Sequence, residues 1–184
     1  MGPVELKDGQ YIDIDQHPHI GLCTLTYLLE GSIEHRDSIG TVQRIEAGDV
    51  GFMTAGKGVT HTERTPESMR TGAKLMMHGY QIWLALPKEL EETEPSFENI
   101  PAKELPTLEK QAWRVKMVAG SGFGLKSPLK VYSPCFMADL HASANVELDL
   151  SNELEGEIAI VVIEGQVQSK EYSIEAGQML ISKS

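Results

Sequence analysis

His17-Pro18-His19 and His61-Thr62-Glu63 each set two side chains of metal-ligating type two residues apart, within segments rich in strand formers. Residues i and i+2 of a strand project from the same face, so each pair forms a two-pronged clamp. Two clamps facing each other supply four ligands, three imidazoles and one carboxylate. Such a set suits Fe, Mn, Ni, Cu or Zn and is too nitrogen-rich for Ca or Mg. With no thiolate in it, a closed structural zinc site is disfavoured. Positions left free on an octahedral ion would be open to substrate or oxygen. One His-x-His alone reads more readily as partly buried histidines with satisfied ring nitrogens; the second pair is what points to a metal.

The elements that must position these clamps are short strands and turns. Thr24 to Leu29 is rich in β-formers, Glu30-Gly31 turns the chain, and Ser32 to Arg36 completes a hairpin before the turn Asp37-Ser38-Ile39-Gly40. Thr41 to Ile45 and Val50 to Met53 read as further strands around the tight turn Ala47-Gly48-Asp49. His61 and Glu63 follow the glycine loop Thr54-Ala55-Gly56-Lys57-Gly58, and Tyr80 to Leu86 is an apolar strand closed by Pro87. Close-spaced strands with turn glycines favour a β-sandwich or barrel over a parallel α/β sheet.

The chain has 184 residues, 41% hydrophobic and 23% charged, enough for one or two small domains with a real core. Its N-terminus lacks a charged start followed by an apolar run and its apolar stretches are short, so neither a signal peptide nor a membrane span is expected, and a cytoplasmic location follows. Cys23 and Cys135 are too few for a disulfide framework and read as small buried hydrophobes. A net charge of -11 argues against direct nucleic-acid binding, which needs clustered Lys and Arg. The acidic run from Glu89 to Pro95 reads as a solvated linker or short exposed helical turn.

Leu28-Leu29-Glu30-Gly31-Ser32-Ile33 with Ile45-Glu46-Ala47-Gly48-Asp49-Val50 is echoed by Val162-Ile163-Glu164-Gly165-Gln166-Val167 with Ile174-Glu175-Ala176-Gly177-Gln178-Met179. The self-similarity suggests two related barrels. Aligning Glu30 with Glu164 puts Ser151 and Glu153 where His17 and His19 stand, so the second copy has no clamp. The first copy runs on from Gly48 to about Leu86, whereas the sequence reaches Ser184 soon after Gly177. A truncated reading frame, a fragment or a half completed by a partner chain is therefore expected, with an exposed sheet edge that favours association.

The segments His17 to Gly21, Thr26 to Gly31, His35 to Gly40, Ala47 to Val50, Met53 to Glu63 and Gly79 to Pro87 together resemble the pirin family of the cupin superfamily. The resemblance implies an all-β fold of two cupin-type β-barrels. Residues 1–101 would form a metal-binding barrel, and residues 102–184 an incomplete, metal-free cupin-like half. It also implies one iron, Fe2+, held by His17, His19, His61 and Glu63, other divalent transition metals being alternatives. Family chains begin earlier and continue past Ser184, carry Glu or Ala where Cys23 stands, and often arginine where Ile20 stands.

Two activities follow from the resemblance. One is cleavage of a flavonol such as quercetin by dioxygen. In that reaction the metal acidifies the flavonol 3-hydroxyl, and Glu63 is both ligand and catalytic proton acceptor. The other is a non-enzymatic, redox-sensing regulator that binds a protein partner. The residues that can be read serve a pocket, which favours the small-molecule metalloenzyme; a metal-free remnant is the third alternative. His35 and His78 read as structural or surface histidines able to hydrogen-bond behind a ligand, and His141 as unrelated to the metal. Gln81 reads equally as pocket-facing or packed.

Overall fold

Residues 2–70, 74–151, 153–154 and 156–182 are described by a computed structural model; the outer limits of the two expected domains, Met1 and Ser184, lie outside the described residues. Nine strands come first: β1 (Val4–Leu6), β2 (Asp13–His19), β3 (Leu22–Glu30), β4 (Ser32–Asp37), β5 (Val42–Glu46), β6 (Val50–Thr54), β7 (Val59–Arg64), β8 (Leu75–Ala85) and β9 (Ser96–Ile100). They form two antiparallel sheets, ordered β1-β8-β3-β6-β9 and β2-β7-β4-β5. The predicted strands are present: β4 and β6 run one residue longer and β3 three, β5 is shifted by one, and β8 starts five residues before Tyr80. Helical structure among the described residues is confined to three single 3-10 turns, Glu67–Met69, Lys88–Leu90 and Ala102–Glu104. The second of these opens the acidic run, whose Glu94 pairs with Lys57. The architecture is all-β, and among the described residues no helix is long and apolar enough to cross a membrane.

Strand β3 divides the interior because its alternate residues serve different cores. Cys23, Leu25 and Tyr27 pack with Val50, Phe52, Val118, Ala119 and Leu129, joining the first sheet to the second half of the chain. The intervening Thr24, Thr26 and Leu28 occupy the other face of the pleat; Leu28 packs with Ile33, Ile45 and Met77, and Thr26 lies beside Glu63. The Tyr27 hydroxyl donates to Asp139 Oδ2 at 2.8 Å, tying β3 to the second half.

The later strands are β10 (Thr107–Glu109), β11 (Trp113–Ala119), β12 (Ser121–Gly122), β13 (Leu125–Lys126), β14 (Met137–Ala142), β15 (Ile158–Val161), β16 (Gln166–Gln168), β17 (Ser173–Glu175) and β18 (Met179–Ser182). Here the internal echo reappears in the strand register and the turn. Tyr27 pairs with Val50 and, in the second copy, Val161 with Met179. Ser32 pairs with Glu46, and Gln166 with Glu175. The amide of Gly48 donates to Leu28 O at 2.7 Å, and that of Gly177 to Val162 O at 2.9 Å. Both glycines take a left-handed φ, +85° and +82°, which a side chain disfavours. Burial separates the copies: Tyr27 and Val50 are buried, whereas Val161 and Met179 are 43% and 57% exposed.

Candidate metal centre

Strand β7 carries His61 and Glu63 between β2 on one side and β4 on the other. His17 lies directly opposite His61, and His19 opposite Val59. The two clamps thus sit side by side on neighbouring strands of one sheet, where the sequence reading had them face each other. A bulge between Ile14 and His17 shifts the register, so Ile14 stays opposite Glu63 while both histidines share the face of His61. Pro18 is accommodated because β2 is an edge strand.

Three imidazoles converge. Ring centroids are 5.0 Å apart for His17 and His19, 4.4 Å for His17 and His61, and 5.0 Å for His19 and His61. These three place one nitrogen each within 4.8 Å of one another. A second trio of equal closeness shares His61 and contains His35 and Glu63. The other three predicted ligands therefore lie around His61, but Glu63 is grouped with His35 and not with the His17–His19 clamp. His61 and Glu63 are 1% and 2% exposed.

His17, Glu63 and His35 are each held by a hydrogen bond. His17 Nδ1–H donates to the Asp15 carbonyl at 2.8 Å; a carbonyl only accepts, so Nε2 of that ring keeps its lone pair. Gln81 Nε2 donates to Glu63 Oε1 at 2.7 Å and to Thr26 Oγ1 at 3.3 Å, while Gln81 Oε1 accepts from Trp83 Nε1 at 3.2 Å. Gln81 is thus pocket-facing. His35 stacks on Phe97 with centroids 4.2 Å apart and bonds to Asp37 Oδ2 at 3.0 Å.

Electrostatics favour the neutral form of His61 and of His19. Burial, then the neighbouring His35, His17 and His19, pushes His61 down to about 3. Burial and the nearby His17 also lower His19. Neutral imidazole is the form that binds metals. Burial opposes the charged form of Asp37, yet hydrogen bonds from His35 and the Thr41 amide prevail and hold its carboxyl below the usual range.

Nε2 of His19 and Nε2 of His61 are buried without any hydrogen-bond partner. Orphaned buried nitrogens are costly in a native structure, and a cation beside them would satisfy both. The residues present fit a borderline transition metal.

The other candidates lie elsewhere. Cys23 is in the core on the opposite face of β3, its thiol 3.7 Å from Thr54 Oγ1. His78 stands near Tyr80, with ring centroids 6.0 Å apart, and exposed His141 pairs with Arg114 on β11; neither joins a trio. Ile20 is 70% exposed beside an open cleft of about 310 Å³ that His19, Ser38 and Thr60 help to line. Sequence reasoning missed Asp37, Thr26 and Trp83. Asp37 and Trp83 could have been found, because His35-x-Asp37 and Gln81-x-Trp83 repeat the same i, i+2 spacing as the clamps.

Comparison with known proteins adds the following. The family description "Pirin" matches residues 1–84. A pirin-like protein of Caulobacter vibrioides is 40% identical over 98% of this chain and 63% of its own length. A Pseudomonas aeruginosa protein, provisionally named a quercetin 2,3-dioxygenase, is 36% identical over 91% of this chain and 51% of its own. The crystal structure of a quercetin 2,3-dioxygenase from Acinetobacter baumannii superposes with a TM-score of 0.88 at 33% identity, covering 98% of this chain and 58% of that one. The chain spans about half to two thirds of the length of these relatives.

Proposed function

Because the chain belongs to the pirin family of the cupin superfamily, we propose that it is a mononuclear non-haem metalloprotein that oxidises a flavonol such as quercetin with dioxygen. In this reading residues 1–101 are the metal-binding barrel and residues 102–184 a metal-free second half. Ferrous iron is held by His17, His19, His61 and Glu63, and the protein works in the cytoplasm. The observation that carries the reading is the pair of buried, unpartnered nitrogens on His19 and His61, two of the three imidazoles that converge with His17.

A redox-active divalent ion supplies Lewis acidity toward the substrate hydroxyl and an electron route to dioxygen. The chain's own residues do the rest. His17 presents Nε2 because its Nδ1–H is committed to Asp15. Glu63 stands beside His61 with Oε1 bonded to Gln81, so Oε2 is the oxygen assigned to ligation and to receiving the 3-hydroxyl proton. The indole of Trp83 is 62% exposed, lies edge-on to His19 at 5.0 Å and is fixed through its N–H to Gln81. An indole so held offers a rigid face on which a flat aromatic substrate can stack.

The test is elemental analysis of protein purified without a metal-affinity tag, followed by oxygen uptake with quercetin. Stoichiometric iron with uptake that disappears in His61→Ala is the expected result. Iron without flavonol-dependent uptake would replace the enzyme with a redox-sensing regulator that binds a protein partner, and absence of any metal would sink both.

A further inference from the structure

We propose that His35 and Asp37 form a positioning relay that fixes His61 in its Nδ1–H tautomer and so keeps the Nε2 lone pair turned toward the ion. The inference rests on the metal-site reading above.

The bond directions follow from what each atom can do. Asp37 is a carboxylate that only accepts, and Oδ1 is already taken by the amides of Ile39 at 3.1 Å and Thr41 at 2.8 Å. Its other oxygen, Oδ2, meets His35 Nε2 at 3.0 Å, so that nitrogen carries the hydrogen. A neutral His35 is then bare at Nδ1. That atom lies 3.3 Å from His61 Nδ1, which must donate to it. His61 Nε2, buried and unpartnered, is left with its lone pair, on a ring whose centroid is 4.4 Å from that of His17 and 5.0 Å from that of His19. Strand register sets up the chain: Asp37 pairs with His61, His35 pairs with Glu63, and the His35 ring reaches diagonally to His61 while Phe97 backs its plane. A carboxylate–imidazole pair behind a ligating imidazole fixes both ring orientation and tautomer.

Long-range proton–nitrogen NMR of the metal-free protein labelled with 15N-histidine reads the tautomers directly. His61 should be protonated at Nδ1 and bare at Nε2, and His35 the reverse. The second measurement is Co2+ affinity. His35→Phe keeps the stack on Phe97 but removes the acceptor, and should weaken Co2+ binding about 10–100-fold. His35→Gln returns a carbonyl acceptor and should recover most of the loss, which a merely structural role would not produce. An Nε2–H tautomer of His61, a doubly protonated His35, or wild-type Co2+ affinity in His35→Phe overturns the relay. The wild-type tautomers decide the matter even where His35→Phe does not fold. Wild-type protein that binds no Co2+ overturns the metal reading itself, whereas tight Co2+ binding with the wrong tautomers overturns the relay alone.

Discussion

Stripped of metal, the protein should lose stability as the pH falls from 7 to 5.5, and His61 should account for most of the loss. In the folded chain burial and three neighbouring imidazoles hold His61 down to about 3, whereas in the unfolded chain it titrates near 6.5. The unfolded state therefore binds the extra proton throughout this window. Stability is fully present above the unfolded value and declines as the pH drops below it, at a limiting rate of about 1.4 kcal/mol per pH unit. Between pH 7 and 5.5 this amounts to about 1.3 kcal/mol for His61 alone. His19, shifted in the same direction, adds to it. The window sits above the range where ordinary carboxylates titrate, so Asp37 and its neighbours contribute little. Urea unfolding in the presence of a chelator measures the effect. With a slope of about 2.5 kcal/mol per molar urea, the wild-type midpoint should fall about 0.5 M further than that of His61→Gln. Equal falls in the two proteins would refute the claim that a buried neutral imidazole limits the acid stability of the apo-protein.

Replacing Gln81 with Leu removes the 2.7 Å donor to buried Glu63 and should cost about 1–3 kcal/mol, read as a lowered thermal midpoint. Tyr27→Phe removes the bond to Asp139 and should cost about 1–3 kcal/mol, with hydrogen exchange quickening first in the β14 amides. The two copies of the echo give an internal contrast. Val50→Thr puts a hydroxyl in a fully buried position and should cost about 1–3 kcal/mol, whereas Met179→Thr, at the equivalent but exposed position, should stay within about 0.5 kcal/mol by denaturant unfolding.

The strands, and the convergence of His17, His19 and His61, were legible because both follow from one local rule, the two-residue repeat of the pleat. β-forming composition marked β3, alternation marked β4, turn glycines marked the strand ends, and the two-residue repeat put His17 with His19 and His61 with Glu63 on shared strand faces. What stayed hidden depends on pairing between strands. That β2 lies beside β7 is a property of sheet order, which no local pattern encodes, so the clamps were expected opposite each other. The bulge that lets both Ile14 and His17 stay on the face of β7 is likewise invisible without the partner strand. Asp37 was read only as the start of a turn, and its amide bonds to Ile39 and Thr41 justify that reading. Its second oxygen, on His35, shows one residue serving both the turn and the site.

The echo separates what the backbone supplies from what the side chains supply. The second copy repeats the first in strand register, in the Gly48 and Gly177 turns, and even in the side-chain bond to the turn amide: Asp49 Oδ2 accepts from Glu46 N at 3.2 Å, and Gln178 Oε1 from Glu175 N at 2.8 Å. Yet among the described residues both ligand trios fall in the first copy. The turn needs only a glycine with positive φ and an acceptor three residues along, which Asp and Gln both provide. A cation needs imidazoles and a carboxylate on one face, with partners behind them to fix each ring. Ser151 and Glu153, aligned with His17 and His19, supply no imidazole. Ser151 is exposed where His17 is half-buried, and Glu153 is half-buried where His19 is buried, so these positions lack the dry surroundings in which unpartnered nitrogens make a strong ligand set. Placing His-x-His at residues 151 and 153 should therefore not create a metal site of comparable affinity, and equilibrium dialysis against Co2+ would show one equivalent bound per chain, not two. Two tight equivalents would mean that the pleat pair suffices and that burial and the bonds behind the rings are dispensable.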